Sequence, residues 1–237
     1  LQDKAKKAAA QETINKKQQE KALAADTTAL FYPALNGKSK QVTLKNNKLE
    51  LTLDTKGGVV RKARILGFKD LNGAKDLTLF DAKDQNLNFL FAGKEDNIVT
   101  ADLYFVPSEQ TDSTVTMTAT ASNGGQLIMK YRLGNDYMLH FSLQAQGLAK
   151  AFAPTYKEIE IEWTDHCRQH EKGHSFENRY TSIFYKESKG STDNLSESGD
   201  KSKTIEEELD WVAFRNQFFS VAFISKDNFS ANAALSS

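Results

Sequence analysis

LELTLDTKGGVVRKARILGFKD, Leu49 to Asp70, is the stretch on which the fold turns. Leu49, Leu51 and Leu53 alternate with polar residues, a period of two that belongs to a strand with one buried face. Gly57 and Gly58 then interrupt the chain before a second apolar strand. No helix follows the glycines, so they supply positive φ or close backbone approach rather than a phosphate cradle.

The same period recurs on both sides. Val42 and Leu44 lead through Asn46-Asn47 into Leu49, which reads as a hairpin. Val115, Met117 and Ala119 alternate with threonines. Leu127, Met129, Tyr131 and Leu133 pass through Gly134-Asn135-Asp136 into Leu139, Phe141 and Leu143. Turn signals (TKGG, LNGAK, SNGGQ, RLGND) separate the runs, and Pro33, Pro107 and Pro154 fall at strand edges. Helices of about 12 residues do not alternate with the strands, which argues against a parallel α/β sheet and for an antiparallel sandwich. The run from Glu187 to Thr204 holds one large apolar residue, Leu195, and reads as a mobile loop or a long hairpin tip.

Residues 1–28 are of another kind. Ala, Lys, Gln and Glu dominate, with Leu1, Ile14 and Leu23 as the large aliphatics. Good helix formers without an apolar stripe make a solvated helix or a disordered tether. The chain opens on Leu1 rather than Met, without a signal peptide, and is expected to be an excised or processed fragment.

Composition narrows the function. The 237 residues carry 31 basic and 31 acidic side chains, so no net field draws the chain to nucleic acid. Cys167 is the single cysteine and excludes an intrachain disulfide. The longest apolar runs, Leu87 to Gly93 and Phe218 to Ser225, fall short of the roughly 18 to 20 residues that span a bilayer.

Candidate chemistry is sparse. In DHCRQHEKGH, His166, His170 and His174 stand at i, i+4 and i+8, a spacing that on a helix would offer three imidazoles to zinc. Gly173 weakens such a helix, no fourth ligand is indicated, and both flanks read as strands, so solvated histidines on a connection are expected. His140 should point to the polar face of its strand. Glu158, Glu160 and Glu162 form the wet side of a strand whose buried side is Ile159, Ile161 and Trp163. G-x-S-x-G, phosphate-loop and H-E-x-x-H patterns do not occur. No catalytic, cofactor-binding or metal residue is assigned.

LTLDTKGGVVRKARILGFKD, with LTLF at Leu77 to Phe80, resembles the opening of the large periplasmic domain of the YidC family of bacterial membrane protein insertases. EKGHSFENRYTSIFYKE and DWVAFRNQFFSVAFI are similar to its C-terminal half, above all in the Bacteroidetes branch. The likeness runs from about Leu30 to Phe229. It implies an all-β protein, a β-supersandwich of mainly antiparallel strands over residues 29–237 with its C-terminal end truncated. Residues 1–28 become a tether after a missing transmembrane helix. It further implies a non-enzymatic, monomeric domain without cofactor, serving insertion through the Sec translocon and substrate membrane proteins, with a ligand-sized cleft as a second proposed role. The insertion groove itself belongs to transmembrane helices outside this chain. A carbohydrate-binding or carbohydrate-active β-sandwich is the alternative, since supersandwiches share that architecture.

DWVAFRNQFFSVAFIS, Asp210 to Ser225, remains. Apolar residues on both parities suggest strands covered on both faces, broken by a turn at Arg215-Asn216-Gln217. A helical reading would place Trp211, Phe214 and Phe218 at i, i+3 and i+7.

Overall fold

The computed structural model describes residues 2–155, 158–170, 172–173, 177, 179–195 and 199–237, with side chains described at 13 and from 15 onward. The chain divides into two compact units: residues 1–66 with 86–164, and residues 67–85 with 165–237. Among the described residues several sheets are built of antiparallel pairs, and the fold class is all-β.

The first unit begins with a long helix, α1 (Gln2–Ala25), and a short one, α2 (Tyr32–Leu35). The helical form of the N-terminal segment follows from its composition. It is held at its C-terminal end, where Asn36 Nδ2 donates to the Ala24 carbonyl at 2.8 Å. Asp26 then turns the chain by accepting from the Thr28 N–H (2.9 Å) and hydroxyl (2.6 Å).

Strands β1 (Gln41–Lys45), β2 (Leu49–Asp54) and β3 (Val60–Lys69) follow as a meander. Asn46 builds the first turn: its Oδ1 accepts from Lys48 N–H (2.7 Å) and Leu49 N–H (2.6 Å), as an Asx turn requires. Beyond Leu66, β3 runs into the second unit, where the turn closed by Asp70 returns the chain as β4 (Asp76–Phe80). Next come β5 (Gln85–Phe91), β6 (Ile98–Val99), a 3-10 turn at Thr100–Asp102 and β7 (Val106–Ser108). β8 (Thr114–Thr120), β9 (Gln126–Leu133) and β10 (Leu139–Gln146) complete a sheet in the order β10-β9-β8-β7, and β11 (Ile159–Asp165) borders β5.

Alternation becomes burial as read. Leu44, Leu53, Met117, Leu127 and Met129 have no exposed surface, each contributing about 1.5 to 3 kcal/mol by leaving water. Aromatic stacking ties the layers of this unit together, Phe89 on Phe141 at 5.4 Å and Phe91 on Phe152 at 5.5 Å. The two glycines sit where expected. Gly57 and Gly58 have φ of 82° and 71°, and a Cβ on Gly58 would stand 2.7 Å from Met129 Sδ. The buried Tyr131 hydroxyl donates to the Gly58 carbonyl at 2.7 Å, fixing the turn against β9.

The second unit contains β12 (Ser182–Glu187), β13 (Thr192–Asn194), β14 (Ser202–Ile205), β15 (Leu209–Arg215), β16 (Ser220–Phe229) and β17 (Ala233–Ser236). One sheet has the order β13-β12-β15-β16, and β14 pairs with β17. Tyr185, Ile205 and Leu209 form its core, with Val212, Phe229 and Leu235 against them. In the first part of the Glu187–Thr204 run β13 turns back on β12 as a hairpin, and Leu195 is buried. Tyr185 donates its hydroxyl to Asp193 at 2.8 Å and accepts from Lys203 Nζ at 2.6 Å, so a polar sequence is pinned by one aromatic.

Candidate functional site

The histidine segment is a lock, and the structure corrects the expectation for it. Residues 166–170 are not helical; they leave β11 as irregular chain. His166 is exposed, whereas His170, expected to be solvated, is buried with its ring edge-on to Phe219 at 5.1 Å. His174 lies outside the described residues. Among the described residues no group of three His, Cys, Asp or Glu side chains could hold a metal ion.

The lock itself is made of residues that local patterns do not reveal. Buried Glu177 accepts from the His170 N–H, 3.0 Å to each oxygen, and from Asn216 Nδ2 at 3.0 Å. Asn216 Oδ1 accepts from Phe218 N–H (3.0 Å) and Phe219 N–H (2.8 Å), which shapes the turn between β15 and β16. Arg168 extends a fork to Asp81 and Asp84, tying the segment to the β4–β5 connection. Glu177 and Asn216, both buried, thereby have partners, the condition for burying them at modest cost. Burial, then the charge of Asp165, push the Cys167 thiol up to about 12.

The three glutamates do not converge. Glu158 and Glu160 are exposed, and Glu162 accepts from Asn88 Nδ2 at 3.2 Å. Ile161 and Trp163 are half-buried, but Ile159 is 43% exposed, which corrects its placement on a buried side. At a strand end the alternation no longer reports cover.

A polar cleft of about 440 Å³ lies on the outer face of β8, β9 and β10. His140 is there, on the polar parity as expected, paired across the strands with Arg132, which pairs in turn with Thr114. Its one lining carboxylate, Glu109, accepts from the Thr116 hydroxyl at 2.8 Å. The aromatics behind it, Tyr131 and Phe141, are turned inward and packed on each other at 5.0 Å. Glycoside chemistry needs two carboxylates, and sugar binding favours exposed aromatic faces; this cleft has neither.

The Asp210–Ser225 stretch forms two strands with the turn where expected, but both its faces are not covered. Leu209 is buried in the core with Val212 and Phe229 against it, whereas Ile224, on the face that carries Trp211 and Ala213, is 51% exposed and Phe218, in the turn, is 52% exposed. Phe68, 51% exposed, meets Phe219 edge-on at 6.1 Å. Apolar residues on both parities here mark one core face and one open apolar face.

Comparison with known proteins accords with this picture. Residues 41–236, from β1 to β17, match the family model of the YidC periplasmic domain. The membrane protein insertase YidC of Phocaeicola vulgatus is 45% identical over 207 residues, 86% of this chain and 33% of that protein. Those of Bacteroides fragilis (39% identity, 87% of this chain) and Porphyromonas gingivalis (35%, 86%) are likewise matched over 33% of their length. The chain thus spans about a third of the curated relatives it matches. Among the described residues no helix is long and apolar enough to cross a membrane.

Proposed function

From the premise that this chain belongs to the YidC periplasmic domain family, we propose that it is a non-enzymatic interaction domain that supports membrane protein insertion by docking to the Sec translocon. It is the periplasmic domain of a bacterial inner-membrane insertase. The observation that carries the proposal is the match over residues 41–236, which takes in both β units. The polar cleft supports a scaffold rather than a glycosidase or lectin, since it lacks paired carboxylates and open aromatic faces. The exposed apolar side chains of Phe218 and Ile224 supply docking surface, and α1 serves as the tether to a membrane helix. Attachment raises local concentration, so a weak, small surface suffices.

Photocrosslinking in the full-length insertase tests this. Probes at Phe218 and Ile224 should capture periplasmic portions of the Sec translocon, while probes at Lys130 and Ser142 should not. Equal, partner-independent crosslinks from both faces would reject docking. A glycan that raises the melting temperature of the chain would move the assignment to the carbohydrate-binding alternative.

A further inference from the structure

A cleft of about 650 Å³ lies in the first unit where the C-terminal half of α1 faces the loop after α2. Four ammonium side chains line it, Lys17, Lys21, Lys38 and Lys56, against a single carboxylate, Glu20. Lys17 and Lys21 are one helical turn apart and so share a face. Among the described residues neither they nor Lys38 form an ion pair, and all three are exposed.

The floor is more highly built. Tyr104 packs so tightly on Gly37 that a Cβ there would stand 2.6 Å from its ring. Over that ring, at 4.5 Å, sits Lys56 Nζ, which also donates to the Asp102 carbonyl at 2.7 Å. Burial lowers the Lys56 pKa, against the pull of Asp102, Glu20 and Asp54 and with the repulsion of Lys16. Burial raises that of Asp102. With four lysines and one carboxylate in its lining, the cleft gathers positive charge that Glu20 does not balance.

We infer that this cleft binds a phosphate ester, its oxyanion held by Lys17, Lys21 and Lys38 and its carbon body resting on the apolar portion of the lining at Ala24 and Leu35. Ammonium groups on flexible stems suit a phosphate approached from several sides. The volume exceeds that of a bare phosphate, and Ala24 and Leu35 give the cleft an apolar portion. A soluble phosphate ester and a glycerophospholipid headgroup present the same chemistry. The inference is independent of docking to the translocon.

The test uses the chain with sn-glycerol 3-phosphate at low salt, followed by the backbone amide resonances of Asn36, Gly37 and Lys38. Saturable shifts at these amides are expected. The triple variant Lys17→Gln, Lys21→Gln, Lys38→Gln should bind about tenfold or more weakly, since charged hydrogen bonds are lost. Its melting temperature should be unchanged because the three side chains are exposed. Removing equal charge elsewhere, by Lys189→Gln, Lys201→Gln and Lys226→Gln, should leave binding as in the parent. No saturation by about 10 mM, equal binding by the first variant, or equal loss in the second would each overturn the inference. Sedimentation with phosphatidylglycerol vesicles, with phosphatidylcholine vesicles as the uncharged control, separates the sources. Capture that needs the three lysines and is competed by glycerol phosphate identifies a lipid headgroup; saturation without capture identifies a soluble ester.

Discussion

Gly58→Ala combines two penalties that its neighbour Gly57 separates. Both glycines have positive φ, 71° and 82°, so a Cβ at either meets left-handed strain of about 1 to 2 kcal/mol. At Gly57 the nearest atom to that Cβ is 3.5 Å away, an ordinary contact. At Gly58 it lies 2.7 Å from Met129 Sδ and 3.1 Å from Phe105 Cδ2, both in fully packed side chains. Overpacking of that kind adds about 1 to 3 kcal/mol. Gly58→Ala should therefore cost about 2 to 5 kcal/mol and Gly57→Ala about 1 to 2. Urea titration followed by Trp163 fluorescence in a Trp211→Phe background reads the first unit, where Trp163 lies. Adding Met129→Ala should reduce the Gly58→Ala increment, because the closest contact is gone. If the two glycine variants agree within about 0.5 kcal/mol, the close approach is not what the turn requires and the reasoning fails.

Leu209→Ala, at a side chain with no exposed surface, should cost about 2 to 5 kcal/mol, whereas Phe218→Ala, at 52% exposure, should stay below about 1 kcal/mol. Urea titration followed by Trp211 compares them. Glu177→Ala removes the carboxylate that accepts from two buried donors, the His170 N–H and Asn216 Nδ2, the second of which keeps its bond to the Arg168 carbonyl, and should cost about 2 to 4 kcal/mol; the same titration checks it. The hydrogen bond from Lys45, outweighing burial and helped by Arg64, holds the Glu50 carboxyl below its ordinary value of 4.5. The stability it contributes is present above that value and lost as pH falls through the lower folded one, so Glu50→Gln should flatten the acid limb of the stability profile. Cys167, with its thiol pushed up to about 12, should react with a disulfide reagent at pH about 8 far more slowly in the folded chain than in urea.

The open face of β15 and β16 shows how a pattern misleads. Apolar residues on both parities are what a doubly covered strand displays. They are equally what a strand with one core face and one apolar surface displays, and only coordinates distinguish Val212 from Ile224. His170 erred in the opposite direction. Polar neighbours suggested a solvated connection, yet its backbone is held by Glu177, seven residues on, and its ring by Phe219. The Asn216 turn was readable, but not its bond to Glu177 across 39 positions.

Local features were legible in the residues: strands from period-two runs, the Asn46 turn, a helix-forming segment without a stripe, and glycines where φ must be positive. These follow from interactions within a few residues, where steric limits and alternation leave few choices. Packing settles that Gly58 is pressed on Met129, that Glu177 meets Asn216, and that Lys56 meets Tyr104 under α1. Each joins residues distant along the chain, and such pairings are set by how whole sheets pack, which no window of sequence contains.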